Sequence, residues 1–262
     1  MRNVRSLTLA AAGLALFAGS LSAQRTGKVQ WIGVNGSTGK YNTNGSSSSQ
    51  WYVYTSPYQA QFQITTPTSP PWLMPPHGTT STTWGPTQDI FCVDFNHEAT
   101  LGTWTANFTN LGSNRADVGI KTRSAFNPLI THDSLVHNYL AAAWLAEQIE
   151  AAPQYSIQRA EENGALWMIM SGAPKYTLNG STAYDNTTVG SYFSTALTTG
   201  WKSVNPYEWV VITDTHDVGS QTGPNQEFLT RVVTPEPATL LLMGTGLFGM
   251  LLGAAVLRRS LA

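Results

Sequence analysis

The stretch from Ala238 to Leu257 constrains this chain more than any other, because its only polar side chains are Thr239 and Thr245. Twenty such residues at about 1.5 Å of helical rise each match a hydrocarbon core roughly 30 Å thick. Pro235 and Pro237 limit backward extension of a helix, and Arg258 and Arg259 are costly to move across a bilayer. The sequence therefore predicts a transmembrane helix over 238–257 with its arginine end in the cytoplasm. Everything before it is expected outside.

The amino terminus bears on the same expectation. Arg2 and Arg5 precede an apolar run from Leu7 to Phe17, followed by the small-residue stretch Leu21-Ser22-Ala23. That order is a signal peptide over 1–23, with signal peptidase as the expected partner and cleavage after Ala23. The apolar run is short for a membrane span.

Pro235, Glu236, Pro237 and Ala238, followed by the apolar segment and the Arg258-Arg259 stop, resemble the PEP-CTERM sorting signal in order and spacing. The resemblance covers only residues 234–262. It implies a bacterial protein exported, transiently anchored by its tail, and cut by an exosortase-type membrane protease. The destination is the cell envelope or extracellular matrix, and the envelope context implies an exopolysaccharide or other surface ligand as partner. In that relationship this chain is the substrate, not the catalyst.

Setting aside 1–23 and 236–262 leaves about 212 residues, enough for one domain with a sizeable core. Four of the fourteen Lys and Arg lie in the two ends, leaving ten against fourteen acidic residues once Glu236 is removed. A mildly acidic body lacks the basic patch that phosphate backbones need, so no nucleic-acid partner is expected. Few charges, many hydroxyl and amide side chains, nine Trp and ten Tyr suit a secreted β-rich domain. Exposed rings could stack on sugars, but rings are also ordinary strand and core residues. Cys92 is the only cysteine, so no internal disulfide can form.

Lys28 to Val34 reads as a first strand, and Gly36 to Ser49 as a flexible loop. From Tyr58 to Ile64, Tyr58, Ala60, Phe62 and Ile64 alternate with Gln59, Gln61 and Gln63, the period of a half-buried strand. Residues 65–87 hold six prolines and read as a long connection. Asp89 to Phe95 and Thr103 to Leu111 read as strands paired with each other. Ser134 is expected to cap a helix through Ala151, stopped by Pro153. Ser156 is expected to cap a second, with Ile157, Ala160, Gly164 and Trp167 or Met168 along one stripe. A short helix is expected near 192–197, then a hairpin of strands at 208–215 and 227–233. The fold class is α+β, an antiparallel sheet or sandwich with a helical hairpin inserted at about 134–171. The expected domains are the signal peptide 1–23, a β-rich body 24–233 and the sorting tail 234–262.

Phe91-Cys92-Val93-Asp94 and, about seventy residues on, Asn163-Gly164-Ala165-Leu166-Trp167 resemble the thioester domains of bacterial surface proteins. The helix around Trp144 and Leu145 sits where such domains carry a Trp-Leu helix. The resemblance implies an internal thioester between the cysteine sulfur and a side-chain amide carbonyl, an electrophile that captures amines on a partner. Counting four residues back from Trp167 reaches Asn163, where that family has glutamine. The side chain is one methylene shorter, leaving its carbon about 1.5 Å further from sulfur. Gln158 is five residues earlier, about 7.5 Å along the helix.

Cys92 thus has four readings: a buried small hydrophobe facing the helix, a thioester with Asn163, an intermolecular disulfide or free thiol, and the nucleophile of a secreted cysteine hydrolase. The last needs a partner from among His97, His132, His137 and His216, none of which lies in a recognisable signature. His132 and His137 are five apart and do not share a helix face. Asp214 and Asp217 could hold calcium, but "DTHD" reads more simply as an Asx turn. The expected role is noncatalytic, with no catalytic residue, metal or cofactor.

Overall fold

A computed structural model of the protein describes residues 24–36, 38–43, 50–64, 84–94, 102–112, 122, 135–171, 176–178, 186–217 and 225–232. The expected signal peptide and transmembrane helix lie outside these residues. Among the described residues no helix is long and apolar enough to cross a membrane. The chain divides into two compact units, 1–232 and 233–262. All of the described structure belongs to the first.

Nine strands are described: β1 (Gln24–Val34), β2 (Thr38–Thr43), β3 (Gln50–Tyr54), β4 (Tyr58–Ile64), β5 (Gln88–Cys92), β6 (Thr103–Asn110), β7 (Tyr176–Leu178), β8 (Trp209–Asp214) and β9 (Phe228–Arg231). The helices are α1 (Leu135–Ala151), α2 (Ile157–Ser171) and α3 (Asn186–Thr198). The fold is α+β, as expected, but its sheet is neither open nor a sandwich. Six antiparallel strands close a barrel in the order β1, β4, β5, β9, β8, β6, while β3, β2 and β7 form a separate small sheet. β2 lies where the sequence suggested only a loop.

β4 follows its alternation, with Tyr58, Ala60, Phe62 and Ile64 buried and the three glutamines half-buried. It pairs with β1 through a bulge between Trp31 and Gly33, and such a bulge bends a strand in the sense a closing barrel needs. β5 and β6 do not pair with each other. β5 lies between β4 and β9, and β6 between β1 and β8. The local pattern marks a strand, but its neighbour is chosen by contacts far along the chain.

A six-stranded barrel is narrow enough for side chains to fill it. Phe62 and Phe108 meet edge-to-face at 5.4 Å, and Tyr58 and Phe228 do so at 6.0 Å. β8 is buried along its whole length, which explains the near-continuous apolar run Trp209-Val210-Val211-Ile212.

The two helices of the hairpin pack on each other, and α3 packs against both. Leu135, Tyr139, Ala142, Leu145 and Ile149 form the expected buried stripe of α1, yet Leu140, Ala141, Ala143 and Ala146 are buried too. The buried surface of α1 is thus wider than one stripe, while His137, Asn138, Glu147, Gln148 and Glu150 keep a polar face. Ser156 caps α2 as its position predicts, its hydroxyl accepting from Arg159 N at 3.2 Å. Ile157 departs from the expected stripe and is 45% exposed. Ser134 lies outside the described residues. α3 is longer than the expected short helix.

Candidate functional site

Cys92 ends β5, opposite Phe228 of β9. It is wholly buried and in no disulfide. The thiol donates to Asp94 O at 3.2 Å, and Val93 N donates to Glu227 O at 3.0 Å. Side chains hold both main-chain groups of Cys92: its N–H donates to Ser56 Oγ at 2.9 Å, and its carbonyl accepts from Trp167 Nε1 at 3.0 Å.

α2 supplies two of the groups in this arrangement. Asn163 and Trp167 are four residues apart and so share a helix face. Asn163 Oδ1 accepts from Ser56 N at 2.7 Å. Ser56 therefore bridges the strand cysteine and the helix asparagine, its hydroxyl bound to one and its amide to the other. Asn163 is fully buried, and its Nδ2 has no hydrogen-bond partner among the described residues. Gly36 lets Ser56 lie this deep. A Cβ there would fall 1.7 Å from Thr55 O and 2.7 Å from Ser56 O, both backbone atoms.

Cys92 and Asn163, singled out from the sequence, are thus brought into one network. Ser56 was missed, since a serine before proline at a strand entry is ordinary turn chemistry. Gln158, the other amide considered on α2, is turned elsewhere, donating to Glu162 Oε1 at 2.8 Å. Glu162 is wholly buried, and desolvation pushes its pKa up to about 7 against the pull of Gln158 and Arg159.

The histidines considered for Cys92 are placed as follows. His97 and His132 lie outside the described residues. His137 Nε2 pairs with Leu197 O at 3.0 Å, and its ring packs on Trp201 with centroids 4.5 Å apart. His216 binds Asp214 Oδ1 through both its backbone N and Nδ1, each at 2.9 Å, and Asp214 Oδ2 accepts from Asn225. The carboxylate of Asp214 thus organises the Asx-type turn expected there. Among the described residues no group of three or more His, Cys, Asp or Glu could hold a metal ion.

Two further features carried no sequence signal. The buried Glu227 carboxylate accepts from Tyr139 of α1 and from Thr213 of β8, the latter at 2.8 Å, tying helix to barrel. An open cleft of about 530 Å³ is lined by Glu147, Glu150, Ser203, Asn205, Glu208 and Arg231. Burial raises the carboxyl pKa values of Glu147 and Glu150.

The remaining question is where the chain goes, and that is decided beyond the barrel. Residues 233–259 match the PEP-CTERM protein-sorting motif. The chain carries this sorting signal. The motif marks an exported, envelope-directed protein handled by exosortase, a membrane protease. Pro235, Glu236, Pro237, Ala238, Arg258 and Arg259 all fall inside the match but outside the described residues. No curated protein and no solved structure matches the chain.

Proposed function

We propose that this PEP-CTERM protein is a noncatalytic component of the cell envelope or extracellular matrix, with the barrel as a binding or structural module. The membrane protease hydrolyses a peptide bond beside Pro235-Glu236-Pro237, and water supplies the hydroxyl of the new carboxylate and a proton of the new amine. Signal peptidase removes residues 1–23, and an exopolysaccharide or other surface ligand is the partner in that setting. The motif at 233–259 carries the reading. The engagement of Cys92 supports a noncatalytic body, because its thiol and amide are bonded to Asp94 O and Ser56 Oγ while its carbonyl takes the Trp167 bond that fastens α2 to the barrel.

Intact mass of the protein recovered from its native envelope or medium tests this. The expected mass is that of the sequence from Gln24 to a point near Pro235, with nothing else lost. A chain that keeps its tail refutes the sorting assignment.

A second reading is favoured by one observation, the shared bridge of Ser56 between Cys92 and Asn163. In it Cys92 Sγ attacks the Asn163 amide carbon. The C–S bond forms as the C–N bond breaks, and ammonia leaves with the thiol proton. The mass would then be lower by about 17 Da and methylamine would add to the chain, as a covalent acyl intermediate requires. Full mass with an alkylatable Cys92 under denaturing conditions excludes it.

A further inference from the structure

The last described residue before the sorting motif is held against the barrel. Val232 is wholly buried, and its N–H donates to Glu208 O at 2.6 Å. Arg231 donates to Glu208 Oε2 from Nε at 3.2 Å and from Nη2 at 2.8 Å. β9 is paired on both sides, with Phe91 opposite Leu229 on β5 and Trp209 opposite Arg231 on β8. It is also the last strand of the barrel in chain order, so the barrel cannot close until residues 228–231 are in place.

The motif begins at residue 233, and only Val233 and Thr234 separate Val232 from Pro235. Two extended residues reach about 7 Å at most. An enzyme that takes a peptide as an extended strand binds it through main-chain groups on several consecutive residues. From Val232 back, those groups are already engaged, the Val232 N–H with Glu208 O and β9 with its neighbours.

We propose that the sorting protease takes this chain from a state in which Arg231 and Val232 are detached from Glu208, so that barrel closure and tail processing compete for the same residues. The proposal rests on the reading that cutting occurs beside Pro235-Glu236-Pro237. The Glu208 clamp then works as a timer. Before β9 docks the tail is a ready substrate, and afterwards processing proceeds at the rate the end frays.

The test follows the full-length precursor in cells that also express the sorting protease, using pulse-chase to measure tail removal. Three variants are compared with the wild type: a ten-residue Gly-Ser insertion between Val232 and Val233, Arg231→Ala, and both together. The insertion is expected to speed removal at least fivefold. Arg231→Ala alone is expected to speed it about two- to fivefold, the effect of losing a partly exposed ion pair on an opening equilibrium. In the extended chain Arg231→Ala should change nothing further, since the enzyme no longer needs the end of β9. If the insertion leaves the rate unchanged, or Arg231→Ala acts equally in both backgrounds, the competition is refuted while the sorting assignment stands. If wild-type and extended chains both keep their tails, the sorting assignment falls and this proposal with it.

Discussion

Replacing Glu162 by glutamine should abolish much of the pH dependence of this fold between pH 4.5 and 7. Glu162 is wholly buried on α2, and desolvation raises its pKa from 4.5 to about 7. A carboxyl whose folded pKa lies above its unfolded value favours folding through its protonated form. That contribution is fully present below pH 4.5 and is lost as pH rises through about 7. At about 1.4 kcal/mol per pH unit the interval amounts to at most about 3 to 4 kcal/mol. For a domain of this size that corresponds to roughly 7–14 °C in Tm. Glutamine keeps an oxygen for Gln158 Nε2, which donates to Glu162 Oε1 at 2.8 Å, and it carries no charge at any pH. The assay is thermal unfolding of wild type and E162Q, full length in a nonionic detergent, from pH 4 to 8.5. The two curves should coincide below pH 4.5, separate progressively up to about pH 7 and run parallel above it, with the variant more stable. Asp89, Glu147 and Glu150 are also raised by burial but titrate in both proteins, so they drop out of the difference. Parallel curves across the whole range would refute the assignment of the cost to Glu162.

Trp167→Phe keeps most of the buried ring but removes the donor to Cys92 O. A loss of about 1–3 kcal/mol is expected from leaving that carbonyl unpaired, together with faster labelling of Cys92 by a thiol reagent under native conditions. Unchanged labelling would mean that Trp167 does not hold the end of β5. Gly36→Ala should be among the most damaging single changes, because a Cβ 1.7 Å from Thr55 O has only backbone to displace. Expression without a cooperative unfolding transition is the expected result, and a wild-type Tm would contradict the close approach.

The sequence carried the elements of this fold better than their partners. β4 was legible because one face is apolar and the other is glutamine, and its burial follows that alternation residue by residue. The α2 cap was legible because Ser156 has one local task, to accept from Arg159 N. Barrel closure was not, since β5 pairs with β9 across some 140 residues and a strand's own pattern does not name its neighbour. In the site, Cys92 stood out as the only cysteine, and Asn163 through the resemblance to thioester domains, whose pattern places an amide four residues before Trp167. Ser56 could not. Its role depends on how closely Gly36 approaches Thr55, a tertiary fact with no local signature.

The identity of residue 163 also separates a structural bracket from an acyl-transfer site that asparagine leaves inactive, and Asn163→Gln puts these in opposition. Asn163 Oδ1 reaches Ser56 N at 2.7 Å, and Ser56 Oγ in turn takes the N–H of Cys92. If the amide is a bracket, one extra methylene in a fully buried position displaces the carbonyl and leaves Ser56 N unpaired. The cost is then about 1–3 kcal/mol from the lost bond, and overpacking adds a comparable amount. Intact mass would equal the variant's own sequence mass, with Cys92 still titratable after denaturation. If instead the site is built for acyl transfer and asparagine merely falls short, the longer side chain brings its carbon within reach of sulfur. The variant would then lose about 17 Da and take up methylamine, as an activated acyl group does. Destabilisation with full mass assigns residue 163 to holding β4, β5 and α2 together. A mass deficit in the glutamine variant would overturn that assignment and make the asparagine the reason this protein forms no covalent bond.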